Sequence, residues 1–307
     1  MLAAAVAAIG LVTPGMETWR DGRRVLRRDV AYQPLPLSKY RLELLPANER
    51  RRATPLIQLA LRAIEDCLGS ATALAAASES ATPSTTDTAP TIDFKGLASV
   101  FACSGGDMGN LHTSCEQLAR DPRGLSPTAF HNSVHNAVAG YWSIGGQARA
   151  PSVSICAHDG SFVAGLLEAL ALLSELAAPV LYVAYDAAVP VPLFAKRPVT
   201  PEFAVALLLG PVSDDEHASI LSIERADESG AHAAALPTAM AQTALETLRL
   251  GNPAARVLPL LRLFACAMPG RVLLADEGAR WLVKYRPALT ETEANDTRPA
   301  RLGRATS

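Results

Sequence analysis

Residues 180–185, VLYVAY, offer no position for a solvated side chain, and LASVFA at 97–102 and FAVALLL at 203–209 are apolar in the same way. A strand of this kind has both faces buried, as in a sheet covered by helices on both sides. Between such runs lie segments of helical period. In Pro55–Leu68 the residues Leu56, Leu59, Ala60, Ala63, Ile64 and Cys67 fall on one face, and Ser161–Leu176 is a strongly apolar helix. Strands alternating with helices predict an α/β fold built on a sheet covered by helices.

The first apolar run, Leu2–Val12, lacks a basic leader and is shorter than the roughly 20 residues of a membrane helix. It reads as a buried strand turning at Thr13-Pro14-Gly15, with a short helix over Glu17–Leu26. Further strands are expected at Ser152–Ile155, Ser219–Glu224, Arg271–Ala275 and Trp281–Lys284, and helices at 112–118, 137–144, 239–250 and 255–265. Phe203–Leu209 and Ser219–Glu224 read as adjacent strands separated by a turn over 211–216. Residues 71–92, rich in Ala, Ser, Thr and Pro, are expected to form a mobile loop, and 290–307 a flexible polar tail. The expected organisation is a main domain over 1–230, a shortened closing layer over 231–289, and the tail.

The 28 basic and 30 acidic residues give a net charge of -2, which argues against nucleic acid as the main partner. Two arginine runs, Arg20–Arg28 and Arg50–Arg52, read as solvated helix faces or an interface, since few aromatic residues lie between them for bases to stack on. The five cysteines at 67, 103, 115, 156 and 266 include no CxxC pair and are expected to be reduced thiols in a cytoplasm. His131 and His135 are four residues apart but have no third ligand at fitting spacing, so they read as structural and no metal is expected. No cofactor and no membrane span are expected either.

Chemistry points to Pro151–Leu170, PSVSICAHDGSFVAGLLEAL, a strand, a turn and a buried helix. Backbone N–H groups are unpaired where such a helix opens, which favours an anion or a nucleophile there. Asp159 fits as a plain helix cap. Cys156 and His158 are alternatives for catalysis, although two residues of separation at a strand end does not establish hydrogen-bond geometry. Ser104-Gly105-Gly106 matches no phosphate-binding loop and reads as a tight turn near the site.

An ordered set of segments carries a resemblance. AIGLVTPGMETWRDG at 8–22, LIQLALRAIEDCL at 56–68, VFACSGGDMGN at 100–110, FHNSVHNAVAGYWSI at 130–144, the segment at 151–170, VLYVAYDA at 180–187 and RPVTPEFAVALLLG at 197–210 follow one another in family order. They resemble the N-terminal half of β-ketoacyl synthases of the thiolase-like superfamily, most closely the chain length factors of aryl polyene and xanthomonadin-type pigment clusters. The resemblance implies a thiolase-like layered fold, truncated relative to a full ketosynthase.

The departures from the family are informative. Active ketosynthases have a DTACSSS-like segment after the strand, and ungapped counting puts Asp159 at the position of its nucleophilic cysteine, with Cys156 three residues too early. A carboxylate cannot form the transfer thioester. Nothing after Ala226 resembles the family's HGTGT-like motif. The implied function is a non-catalytic subunit that pairs with an active ketosynthase, with an acyl carrier protein as a further partner. Phe130, Asn136, Tyr141, Trp142 and Phe162 are candidates for its tunnel wall or interface, each of the aromatics competing with a plain core role. The alternative is a degenerate acyltransferase or decarboxylase using His158 with Asp159, or Cys156, on acyl carrier thioesters.

Overall fold

The computed structural model describes residues 1–79, 93–212, 218–226, 236–275 and 278–288. In chain order it contains β1 (Leu2–Val12), α1 (Trp19–Leu26), α2 (Ala47–Arg52), α3 (Pro55–Glu79), β2 (Ala98–Ala102), α4 (Met108–Arg120), α5 (Pro127–His131) and α6 (Ala137–Gly146). There follow β3 (Ser152–Ile155), α7 (Ser161–Leu176), β4 (Val180–Asp186), β5 (Phe203–Gly210), β6 (Ile220–Arg225), α8 (Thr243–Gly251), α9 (Leu258–Cys266), β7 (Gly270–Ala275) and β8 (Arg280–Arg286).

The strands form one mixed sheet in the order β3-β2-β4-β5-β1-β6-β8-β7. β2 is parallel to β3 and β4, and the remaining neighbours are antiparallel. Because side chains alternate along a strand, the all-apolar β4 serves two cores at once. Val180, Tyr182 and Ala184 join one cluster with α1, α7, α8 and α9, while Leu181, Val183 and Tyr185 join the other with α3 and α6. The result is a sheet between two helical layers, as the apolar runs predicted.

β1 is central and changes face along its length. Its register shifts between Val6 and Ala8. Ala4 packs in the α7 layer and Ala8 in the α3 layer, and Ile9 and Leu11 return to the α7 layer, so the irregularity exchanges which parity points where. Gly10 faces α3. A Cβ there would lie 2.0 Å from the Ala63 carbonyl oxygen and 2.6 Å from the Cys67 nitrogen, so only glycine lets helix and strand backbones approach this closely.

Two expectations are corrected. Residues 71–79 of the expected loop are helical, because α3 continues to Glu79. Alanine favours helix, and Ser70 and Thr72 turn their hydroxyls onto the carbonyls of Asp66 and Leu68 four residues back. Residues 80–92 of that loop, 213–216 of the expected turn and the tail from 290 lie outside the described residues. The strands expected to be neighbours, β5 and β6, are separated by β1, where Ala5 aligns with Gly210 on one side and Ile220 on the other. The N-terminal strand inserts between two segments adjacent in sequence, which local pattern does not reveal.

All five cysteines are free. Among the described residues no helix is long and apolar enough to cross a membrane.

Candidate functional site

β3 ends at Ile155, a single helical turn of the 3-10 type covers His158–Gly160, and α7 begins at Ser161. Ser161 fixes this turn, accepting from the Ala157 N–H at 3.0 Å and donating to the His158 carbonyl at 2.7 Å. His158 has φ +47°, a left-handed conformation uncommon for a residue with a side chain. Behind the turn, Gly165 lets α7 settle onto the sheet. A Cβ there would lie 2.7 Å from the Ala102 Cβ and 2.8 Å from a Tyr182 ring carbon. The Tyr182 hydroxyl donates to the Phe162 carbonyl at 2.5 Å, and their rings lie 5.6 Å apart.

Asp159 does not cap α7. The N-cap position is Gly160, without a side-chain bond, and the Asp159 carboxylate turns to two arginines brought in from later segments. Arg197 Nη1 lies 2.6 Å from Oδ1, and Arg256 Nη2 donates to Oδ2 at 2.7 Å. Arg197 follows the 3-10 turn Leu193–Ala195, and Arg256 sits in the 3-10 turn Ala254–Val257 that leads into α9. Burial pushes the carboxyl pKa up, but the hydrogen bond from Arg197 and the charges of Arg256 and Arg197 outweigh it and hold it below its ordinary value. The group is an ionised, ion-paired carboxylate and a weak base. Arg197 Nη2 and Arg256 Nε remain buried without acceptors.

Asp159 and Phe162 border a cleft of about 280 Å³ together with Arg249, Glu246 and Leu274. Cys156 lies elsewhere, on a separate cavity of about 200 Å³ shared with Tyr185, His135 and the Gly105–Asp107 turn. Its thiol donates to the Ser104 carbonyl at 3.3 Å. The Ser104 N–H and hydroxyl both donate to the buried Asp186 carboxylate, at 2.8 and 2.7 Å, and Cys103 Sγ lies 3.4 Å from the same oxygen. This tight turn at the end of β2 is therefore anchored to the end of β4. Burial raises the Asp186 pKa to about 6 despite these donors.

The other residues singled out in the sequence do not converge on either cavity. His158 Nδ1 stays 3.7 Å from Asp159 Oδ1, beyond hydrogen-bond length. Tyr141 is buried and donates to Asn132 Oδ1 at 3.1 Å, and Trp142 is buried beside Phe94. His131 lies edge-on to Tyr141. Phe130 is 66% exposed, and Asn136 is exposed at the start of α6. Leu111 on α4, Val134 before α6 and Ile144 on α6 are also exposed apolar residues, and β3, which packs against α6, is an edge strand.

Arg197 and Arg256 were not singled out in the sequence. Arg197 opens the RPVTPEFAVALLLG segment, but nothing local to it points to Asp159, 38 residues earlier in the numbering.

The β-ketoacyl synthase N-terminal domain profile matches residues 24–251, about three quarters of the chain. No curated protein matches the chain significantly. Among solved structures it is similar to a chain of the ketosynthase ApeO in complex with its chain length factor ApeC from Xenorhabdus doucetiae, with TM-score 0.62 and 20% identity over 92% of this chain and 100% of that one. The ishigamide ketosynthase/chain length factor gives TM-score 0.65 and 14% identity over 94% and 100%. AntDE:AntF, a type II polyketide synthase acyl carrier protein in complex with its ketosynthase, gives 0.64 and 12% over 93% and 99%. At these identities the likeness establishes a shared fold, the thiolase-like arrangement expected from the ordered segments. From the profile match and that fold, the chain belongs to the β-ketoacyl synthase family, through its N-terminal domain.

Proposed function

We propose that this chain is a non-catalytic, ketosynthase-like subunit of the chain length factor type, which pairs with an active ketosynthase in the assembly of a polyene or polyketide chain. The observation that carries this reading is the state of Asp159. At the turn opening α7, where the family places a nucleophilic sulfur, the chain has a carboxylate held by Arg197 and Arg256. A carboxylate so paired neither forms a thioester nor serves as a strong base.

Cys156 is a poor substitute. Its thiol is bonded to a backbone carbonyl and lies on a different cavity from Asp159. The surface supports a partner role. β3 has an unpaired edge among the described residues and packs against α6, which carries the exposed Ile144, while Leu111, Phe130 and Val134 are exposed on α4, on α5 and in the segment before α6. Edges and apolar patches of this kind are usually covered. Two of the similar structures are described as ketosynthase/chain length factor assemblies, and the third as a ketosynthase with an acyl carrier protein.

Native mass spectrometry of this chain co-expressed with an active ketosynthase from the same gene cluster tests the reading. A one-to-one heterodimer in which only the partner takes an acyl label is expected. A free chain that labels on Cys156 would overturn the proposal in favour of a degenerate acyltransferase.

A further inference from the structure

The arginine run on α1 does not belong to the site above. Gly22, Val25 and Leu26 face inward, which leaves Arg20, Arg23 and Arg27, three and then four residues apart, on one outer face of the helix. These three side chains border a groove of about 460 Å³ whose aromatic lining is Trp19, Phe264 and Tyr285. Phe264 and Tyr285 are held edge-to-face at 4.6 Å, and Arg27 is anchored by donation from its Nε to the Ala265 carbonyl. Among the described residues no acidic side chain lines the groove, and none pairs with Arg20, Arg23 or Arg27. The nearby Asp21 is turned back to Thr18. The groove shares no lining residue with the cleft at Asp159.

We propose that this groove binds a phosphorylated small molecule with an aromatic or apolar body. Three guanidiniums without an acidic partner among the described residues call for more than one negative charge, and their planar donor forks suit phosphate oxygens. The aromatic floor accommodates a ring or chain but contributes nothing to an inorganic ion. The volume lies within the range of small-molecule sites, and Phe264 and Tyr285 are buried while the three arginines are exposed, which favours a small ligand over an acidic protein surface.

The test uses the full chain and ADP as a probe carrying both features, with pyrophosphate and adenosine as its two halves. Calorimetric titration near 0.15 M salt is expected to show one saturable ADP site per chain, at least tenfold tighter than either half. The Arg20→Ala/Arg23→Ala double variant should weaken ADP at least tenfold while melting like the wild type, since both residues are exposed. Arg50→Ala/Arg51→Ala, in the other arginine run, should leave it unchanged. The proposal is overturned if ADP shows no saturable binding or if pyrophosphate binds as tightly as ADP. Equal sensitivity to the two double variants would overturn it as well.

Discussion

Arg256 and Asp159 are 97 residues apart in the chain and meet through a 2.7 Å hydrogen bond at the turn that opens α7. Arg197 closes the other side of the same carboxylate. The turn that opens α7 is the centre of a charge cluster, tying it to the segments before β5 and α9.

Replacing Asp159 by Ala removes the anion and leaves two guanidiniums facing each other. The variant should fold but lose about 1–3 kcal/mol, the scale of charge-assisted hydrogen bonds. The vacated position should then accept a small carboxylate, so tens of millimolar acetate should raise the melting temperature of Asp159→Ala and not that of the wild type. Equal responses in a thermal melt would show that the arginines do not act on this group.

The same pair explains a chemical expectation. A thiol placed between Arg197 and Arg256 is shifted toward thiolate. Asp159→Cys should therefore be alkylated by iodoacetamide at neutral pH faster than the exposed native Cys156, as read by peptide mass spectrometry. Slower alkylation would count against an electropositive turn.

Asp186 should give an unusual pH dependence. Its folded pKa, about 6, lies above the ordinary carboxyl value because burial penalises the charge. The protonated form therefore favours folding. Its contribution is fully present below about pH 4 and lost as pH rises through about 6, a change on the order of 3 kcal/mol. Asp159, with a lowered pKa, behaves oppositely and loses its contribution only as pH falls below the ordinary carboxyl range. Urea midpoints measured from pH 4 to 7 should show the Asp186 slope in the wild type and its disappearance in Asp186→Asn, whatever that variant's absolute stability.

Gly10 and Gly165 separate two kinds of close approach. At Gly165 an added methyl meets the Ala102 and Tyr182 side chains, so the contact is between helix and sheet and not between two helices. At Gly10 it meets backbone atoms of α3, which cannot rotate away. Gly10→Ala should lower the melting temperature more than Gly165→Ala, and Gly165→Val should cost about 3 kcal/mol or more through overpacking. The reverse order for the two alanine variants would refute this distinction.

Phe130 offers a test of the surface alone. Because it is 66% exposed, Phe130→Glu should leave the isolated chain's stability within about 0.5 kcal/mol. The same substitution should weaken association with the co-expressed ketosynthase at least tenfold, measured by native mass spectrometry at graded concentrations. Unchanged association would place the interface on another face.

Much of the fold was legible because it is written in local period. The all-apolar runs named a doubly covered sheet, the strand at Ser152–Ile155 and the helix at Ser161–Leu176 have their expected bounds, and α1, α6 and β8 fall within a few residues of theirs. The ordered segments identified the family, and the run at 151–170 read as a strand, a turn holding Asp159, and a helix. Composition misjudged the start of 71–92, because its alanines favour helix and Thr72 satisfies its hydroxyl on the Leu68 carbonyl within α3.

What tertiary structure decided is what depends on distant partners. The place of β1 between β5 and β6, the role of Asp159 as an ion-pair centre in place of a cap, and the division of Cys156 and Asp159 between two cavities all come from residues far apart in the chain. Period and capping preference report on a residue's near neighbours, a few positions away. An arginine 38 or 97 residues on leaves no trace in that window, and only the folded sheet brings it to the carboxylate.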